Sequence, residues 1–330
     1  MELPPFEYHR PETPEQVVAL LAQYGEDADI VAGGTDLLPN YKNRLNPKPH
    51  VVSLAAVEGL STRTPTYLGA LVRLVEIERD AEIAAALPIL AETAGAISSP
   101  PLREHGTVGG NLMLDTRCHY FNQSPLWRES KSYCLKADGT QCLVVPNSTG
   151  ACYATYSGEL AAALTVLDAE IELLGPEGKR SVPIVSFFHA DGIVRFADRK
   201  AGEIVVGVRI PERSQALQAG YMKLRIRDSI DFPSLGIAVA VRVSDQGVVQ
   251  DLNIANTAMT GRPESFRAAT MHFEGEMASP ELAAEIGTTV QKASLAYRNV
   301  PLDPKYRKKM SAVFVRRLLA RLDARFAEAE

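Results

Sequence analysis

The chain has 330 residues, 46% of them hydrophobic and 23% charged, which is the composition of an ordinary globular protein with two or three domains. Its formal net charge of −5 argues against a nucleic-acid-binding protein, and no run of about eighteen apolar residues predicts a membrane span. The polar N-terminal segment lacks the apolar stretch of a signal peptide, so the sequence predicts a cytoplasmic protein with reduced thiols.

The first part of the chain alternates helix and strand around a glycine turn. Thr13-Pro14-Glu15-Gln16 is a capping box with proline at the first helical position, and it predicts a helix that ends at Gly25. A strand predicted over residues 29–32 leads into the turn Gly33-Gly34-Thr35-Asp36. Further strands are predicted over residues 50–54, 67–72, 169–174, 181–184 and 203–211, and helices over residues 75–86, 88–97 and 159–167.

The last third of the chain has a different pattern. Residues 221–227, 235–243 and 248–259 predict a three-stranded antiparallel meander with a turn at 245–247. Two helices are predicted after it, over residues 280–298 and 305–327. Together with the first part, this pattern predicts an α+β fold.

Two glycine-rich stretches are candidate phosphate cradles. Gly33-Gly34-Thr35-Asp36 follows a strand, and Gly106-Thr107-Val108-Gly109-Gly110-Asn111 comes about seventy residues later. Glycines let backbone N–H groups approach a phosphate closely. Either stretch alone could be a simple turn, since neither is a dinucleotide fingerprint or a P-loop. Two cradles in one chain favour a dinucleotide with a pyrophosphate.

All four cysteines of the chain fall in one short region, at Cys118, Cys134, Cys142 and Cys152. Four thiolates at one point suit an iron–sulfur cluster or zinc. Zinc is disfavoured because the region contains no CxxC or CxxH pair. Two disulfides and four buried, unreactive thiols are the other interpretations, and a reducing compartment disfavours the disulfides.

Four separated motifs resemble those of one family. They are AGGTDLLPNYK, TVGGNL, SGELAAALTVLDAEIELLGPEGKRSVPIVSFF and YMKLRIRDSIDFPSLGIAVAV. In this order they resemble the FAD-binding subunit of the xanthine-oxidase family of molybdenum hydroxylases, over nearly the full length. The resemblance implies an α+β fold of the PCMH and xanthine-oxidase medium-subunit type. Two α/β FAD-binding subdomains are expected at residues 1–57 and 58–213, and a C-terminal flavoprotein domain with a three-stranded antiparallel sheet and helices at residues 219–330.

The resemblance also implies which residues contact FAD. Glu159 stands where the family usually has an aspartate that holds a ribose hydroxyl, so it keeps the carboxylate but adds a methylene. Lys223 and Asp231 match positions near the isoalloxazine, although the residues alone would favour an ion pair between them on a surface strand. The full set of expected FAD contacts is Ile30, Val31, Ala32, Gly33, Gly34, Thr35, Asp36, Leu37, Thr107, Gly110, Asn111, Glu159, Lys223 and Asp231.

About forty residues, 115–156, are inserted between the second glycine stretch and Glu159, where most members of the family have none. This insert resembles that of the beta subunits of 4-hydroxybenzoyl-CoA reductases, in which four cysteines carry a [4Fe–4S] cluster. The resemblance implies the same cluster on all four cysteines here. The cluster would be anionic, and Arg117, Lys131 and Lys136 are candidate compensating cations.

By this resemblance the chain is an electron-transfer subunit with no catalytic residue of its own. Its expected partners are a molybdenum-cofactor large subunit and a [2Fe–2S] small subunit in a dimer of heterotrimers, with a low-potential carrier such as ferredoxin as donor. The complex would remove a phenolic hydroxyl from an aromatic acyl-CoA during degradation of aromatic compounds. The alternatives are the flavin subunit of a related hydroxylase that oxidises an aldehyde or N-heterocycle, a zinc-stapled nucleotide-binding module without catalytic activity, and a stand-alone flavin oxidase.

Overall fold

The computed structural model of the chain describes residues 2–148 and 150–328, so the outermost predicted domain bounds, 1 and 330, lie outside it. The helices are Pro14–Tyr24 (α1), Leu37–Lys42 (α2), Leu74–Arg79 (α3), Ala81–Ala86 (α4), Pro88–Ala96 (α5), Pro100–Arg103 (α6), Val108–Leu112 (α7), Pro125–Ser130 (α8), Glu159–Val166 (α9), Ile184–Phe187 (α10), Arg267–Thr270 (α11), Pro280–Ala293 (α12) and Pro304–Leu322 (α13). The strands are Glu7–His9 (β1), Ala28–Val31 (β2), His50–Ser53 (β3), Arg63–Thr64 (β4), Tyr67–Gly69 (β5), Glu170–Gly175 (β6), Gly178–Pro183 (β7), Ile204–Arg209 (β8), Gln218–Leu224 (β9), Leu235–Val243 (β10), Val249–Thr257 (β11) and Glu264–Ser265 (β12).

The N-terminal lobe is a small parallel sheet in the order β1-β3-β2, with α1 packed against it. The predicted capping box is confirmed, because the Thr13 hydroxyl accepts from the Gln16 N–H and the Gln16 side chain accepts from the Thr13 N–H. Helix α1 ends at Gly25, whose φ of +55° is a conformation that favours glycine. The first glycine turn follows β2, so it lies at the edge of the sheet where the parallel strands end.

The second lobe is a five-stranded antiparallel sheet in the order β4-β5-β8-β6-β7. Helix α9 is buried along its whole length, because beyond Glu159 its residues are apolar except Thr165, whose hydroxyl donates to Ala161 O. It shares a hydrophobic core with the sheet and also packs against β10 and β11 of the third lobe. This helix joins the two larger lobes, and it begins at the predicted site residue Glu159.

The third lobe is an antiparallel sheet in the order β12-β11-β10-β9, covered by α12 and α13. The sequence predicted only three strands here, because β12 is two residues long and too short to show alternation. The helix predicted over residues 75–86 is also broken in two. Asp80 ends α3, and its carboxylate accepts from the N–H groups of Glu82 and Ile83, which starts α4 at a new N-cap.

No helix in the described part of the chain is both long enough and apolar enough to span a membrane.

Candidate cofactor site

The two glycine stretches touch each other across the junction of the first and second lobes. A Cβ atom on Gly33 would lie 1.8 Å from the backbone oxygen of His105, just before the second stretch. Only glycine permits this approach, so the two loops lie in direct contact. Gly34 has a φ of +70°, and the chain then enters α2, where Leu38 N–H donates to Gly34 O at 3.2 Å.

The second stretch forms the start of the short helix α7. The Thr107 hydroxyl accepts from the Gly110 N–H at 3.1 Å and keeps its own proton for a further acceptor. This hydroxyl oxygen is the one neighbouring atom recorded within 4 Å of a Cβ atom placed on Gly110. The space beside Gly110 is therefore open. The side chain of Asn111 accepts from the Leu160 N–H at 3.0 Å, which ties the stretch to α9. The open space suits a phosphate or a sugar.

Glu159 and Lys223 form a salt bridge in the interior, with Nζ and Oε1 2.7 Å apart and both side chains under 5% exposed. Lys223 also donates to the backbone oxygen of Ala96 at 2.9 Å. Burial raises the pKa of Glu159, while the Lys223 ammonium acts in the opposite direction. The surface ion pair between Lys223 and Asp231, which the residues alone favoured, is therefore wrong.

Asp231 lies on the exposed loop over residues 225–233 and binds Arg227, with Nε and Oδ1 2.7 Å apart. The hydrogen bond from Arg227 lowers the pKa of Asp231. The next residue, Phe232, lies under the guanidinium of Arg117, 4.5 Å from the ring centroid. The structure thus brings Glu159, Lys223 and Asn111 together, and it places Asp231 on a separate loop over the insert.

The four cysteines are buried, unpaired and arranged around one small cavity. Burial raises the pKa of Cys118 to about 12 and that of Cys152 to about 11, so without a metal these thiols are protonated at neutral pH. The cavity walls include Tyr120, Phe121, Lys136 and Ala154. Four buried sulfur donors around one cavity fit a metal centre.

The spacing of the sulfur atoms distinguishes the kinds of metal centre. A zinc ion with bonds of about 2.3 Å holds its four sulfurs about 3.8 Å apart. Among the described residues, Glu7, His9 and His50 form the group of three whose ligand atoms all lie within 4.8 Å of one another. No cysteine belongs to such a group. No three of the four cysteine sulfurs therefore lie as close together as the ligands of one bound zinc ion would.

Of the three candidate cations, Lys136 is the one beside the cysteines. Its ammonium is buried and lies 2.7 Å from Asp115 Oδ1, 2.6 Å from the Thr116 hydroxyl and 3.0 Å from Gly192 O. Burial lowers the pKa of Lys136, and Asp115 opposes the shift. Lys131 is exposed, 5.8 Å from the Trp127 ring. Arg117 instead pairs with Asp36 of the first glycine stretch.

The insert is fastened to all three lobes. Arg128 donates to the backbone oxygens of Asn43 and Arg44 at 2.8 and 3.0 Å. Asp191 accepts from the Cys152 N–H at 3.1 Å, and His119 N–H donates to Asn299 O at 3.0 Å. The contact with the loop at 189–196 was not predicted from the sequence, because no local motif links that loop to the cysteines.

The sequence matches two family models over most of its length. Residues 4–213 match the FAD binding domain in molybdopterin dehydrogenase, and residues 219–322 match the CO dehydrogenase flavoprotein C-terminal domain. The chain belongs to the family of FAD-binding medium subunits of the xanthine oxidase and CO dehydrogenase enzymes. It is therefore an FAD-binding subunit of an oxidoreductase, and the α+β medium-subunit fold predicted from the sequence is confirmed.

Known relatives act on different substrates. The aldehyde oxidoreductase FAD-binding subunit PaoB of Escherichia coli K12 is 31% identical over 74% of this chain and 80% of its own length. The carbon monoxide dehydrogenase medium chain of Hydrogenophaga pseudoflava is 27% identical over 98% and 99%. A solved structure of carbon monoxide dehydrogenase from that organism, lacking the Mo-pyranopterin moiety, matches with a TM-score of 0.79 and 26% identity over 99% of this chain and 100% of that one.

Replacing Gly34 by leucine should give flavin-poor protein. The new side chain would adopt a left-handed backbone conformation at a φ of +70° and would press on Leu38, which lies 3.0 Å from the Cβ position. The loop would then leave the position in which the sequence predicts that it binds a pyrophosphate. We expect the ratio of flavin to protein after purification, measured by absorbance, to fall severalfold.

Gly59→Leu is the matched control for this variant. Gly59 has a φ of +81° and nothing within 4 Å of its Cβ position, so leucine there meets the same backbone penalty of about 1–2 kcal/mol without touching the cradle. It should retain its flavin. Full flavin in Gly34→Leu would contradict the role of this loop.

Proposed function

We propose that this chain carries both FAD and a [4Fe–4S] cluster and transfers electrons between them within a molybdenum enzyme. The observation that carries the proposal is the arrangement of Cys118, Cys134, Cys142 and Cys152 as four buried thiols around one cavity. Among the described residues, no three of their sulfur atoms lie within 4.8 Å of one another, which argues against the zinc-stapled module. When bound, such a cluster supplies one-electron transfer and the flavin one- or two-electron transfer.

The chain's own residues bind, orient and shield the cofactors. For FAD we propose that residues 30–37 wrap the pyrophosphate and the ribityl chain, that Thr107 donates its free hydroxyl proton, and that Gly110 and Asn111 complete the second cradle. Lys223 and Asp231 are proposed near the isoalloxazine. Glu159 is proposed near a ribose hydroxyl, with its carboxylate held in place by Lys223. The division into domains at residues 1–57, 58–213 and 219–330 is part of the same proposal.

Around the cysteines, the chain excludes water and compensates charge. Each cysteine is at most 8% exposed, and Phe121 in the cavity wall is 1% exposed. Four thiolates on a 2+ core carry a net charge of about −2, which needs nearby cations and N–H donors. The buried Lys136 ammonium meets that need, because the oxygens that bind it fix its position.

The Cys142→Ser variant tests the cluster directly. It should lose most of its iron and acid-labile sulfide, and with them the electron paramagnetic resonance signal that appears on dithionite reduction. About four irons per chain, beyond those of any partner subunit, are expected in the unaltered protein. FAD content should be largely preserved, because Cys142 makes no contact with either glycine stretch that the structure records.

Tyr120→Phe is the control for this test, since Tyr120 lines the same cavity without offering a sulfur ligand. It should keep its iron and sulfide. Zinc without sulfide in the unaltered protein would overturn the cluster assignment, and so would unchanged iron in Cys142→Ser.

Lys136→Gln should make the reduction potential of the cluster more negative. Removing a fixed positive charge from the cavity wall destabilises the more negative reduced state, by on the order of 1–3 kcal/mol at an effective dielectric constant of about 20. A redox titration followed by electron paramagnetic resonance measures this shift. Lys131→Gln removes the same charge from an exposed position and should leave the potential nearly unchanged. Equal potentials in the two variants, with iron retained, would refute the role of Lys136.

The whole enzyme is proposed to resemble a 4-hydroxybenzoyl-CoA reductase. The insert supports this, and a low-potential donor such as ferredoxin would deliver electrons for removal of a phenolic hydroxyl from an aromatic acyl-CoA. Aldehyde oxidation is the second candidate, because the relative that is 31% identical is named as an aldehyde oxidoreductase subunit. We further propose a cytoplasmic dimer of heterotrimers with a molybdenum-cofactor large subunit and a [2Fe–2S] small subunit.

Purification of the chain from its native extract tests this assembly. One large and one small subunit should co-purify with it, and the complex should contain molybdenum. The complex should reduce 4-hydroxybenzoyl-CoA with a low-potential donor, whereas turnover of aldehydes with an electron acceptor would select the second candidate. An active chain that purifies without companions would exclude both and would indicate a stand-alone flavin oxidase.

A further inference from the structure

A histidine pair and a carboxylate meet at the edge of the N-terminal sheet, away from the cysteines. Strand β1 pairs in parallel with β3 so that Glu7 lies opposite His50. His9 follows Glu7 by two residues and therefore points to the same face of the sheet. The strand register alone brings these three side chains together, and their ligand atoms all lie within 4.8 Å of one another.

The distances within this triad match those of a metal site. His9 Nε2 and His50 Nδ1 are 3.1 Å apart. Glu7 Oε1 lies 3.9 Å from His9 Nε2, and Glu7 Oε2 lies 3.5 Å from His50 Nδ1. A tetrahedral zinc ion with bonds of about 2.0–2.1 Å separates its nitrogen and oxygen ligands by about 3.3 Å. An ion would therefore fit between the three groups after small side-chain adjustments.

The two imidazole rings are held in place, while the carboxylate is reachable from solvent. Tyr24, at the end of α1, stacks on His50 with centroids 3.8 Å apart and lies 4.9 Å from His9. The side chains of His9 and His50 are 12% and 20% exposed, and that of Glu7 is 64% exposed. Without an ion, one ring nitrogen donates its proton to the other. For both nitrogens to bind an ion, the donating ring takes its other tautomer, with the proton on the nitrogen that faces away from the site, so that each neutral ring offers a lone pair.

We propose that Glu7, His9 and His50 form a binding site for one divalent transition-metal ion of the zinc class, with water as the fourth ligand. The ion joins β1 to β3 and so stabilises the sheet whose third strand, β2, leads into the first glycine stretch. Two imidazoles and one carboxylate are borderline ligands that suit Zn²⁺ better than Ca²⁺ or Mg²⁺. The site is independent of the cysteines and of the proposed electron transfer.

The test uses the full-length protein with its iron–sulfur and flavin content intact, so that the cysteines are occupied. Loosely bound metal is first removed with a chelator. Zn²⁺ is titrated by calorimetry and Co²⁺ by visible absorption. We expect one ion per chain, the weak visible bands of cobalt bound by nitrogen and oxygen, and a higher melting temperature with Zn²⁺. His50→Gln and Glu7→Gln should weaken binding by roughly tenfold or more.

His272→Gln, which alters an exposed histidine of the third lobe, should bind as the unaltered protein does. Glu7 is mostly exposed, so Glu7→Gln tests the site even if a histidine variant folds poorly. Equal affinity in the unaltered protein and in Glu7→Gln and His50→Gln would overturn the proposal. So would the absence of binding in the unaltered protein, or a cobalt spectrum with only the intense absorption of thiolate ligands.

Discussion

The buried salt bridge between Glu159 and Lys223 is the contact on which the arrangement of the lobes depends. Moving two charges out of water costs several kcal/mol for each, and here the 2.7 Å contact and the bond from Lys223 to Ala96 O compensate for it. Removing one partner would leave a buried charge unpaired, at a cost of about 3–5 kcal/mol. The three residues belong to α9, β9 and the end of α5, so the salt bridge links the second lobe to the third, and the Asn111 side chain is anchored to α9 beside them.

Arg117 connects the two halves of the candidate site. Its side chain pairs with Asp36 in the first glycine stretch and lies over Phe232, while its neighbour in sequence is Cys118. Burial lowers the pKa of Arg117 to about 10, so the guanidinium stays charged at neutral pH. A displacement of the cysteine region would therefore move a cation that contacts the first glycine stretch. The lobes, the insert and the cradle form one connected set of polar contacts.

The sequence predicted those features of the fold that depend on neighbouring residues. It did not predict contacts between segments that are far apart in the chain. The capping box of α1, the full extent of β10 and the two glycine turns follow from short motifs, and the structure contains them. The family resemblance supplied the order of the lobes. The predicted ion pair of Lys223 with Asp231 was wrong. The actual partner, Glu159, is 64 residues away in the sequence, and two charges so far apart leave no local pattern. The contacts of Arg117 and the approach of the loop at 189–196 were missed for the same reason, and β12 was too short to detect.

The insert leaves and rejoins the rest of the chain at almost the same point. Arg117 and Thr155 face each other in an antiparallel bridge, with backbone hydrogen bonds of 2.6 and 2.7 Å, so residues 118–154 form a loop closed at its neck. A segment whose ends meet can be gained or lost without moving the strands and helices on either side. In the laboratory, it offers a natural junction for transplanting the four cysteines into a relative that lacks them.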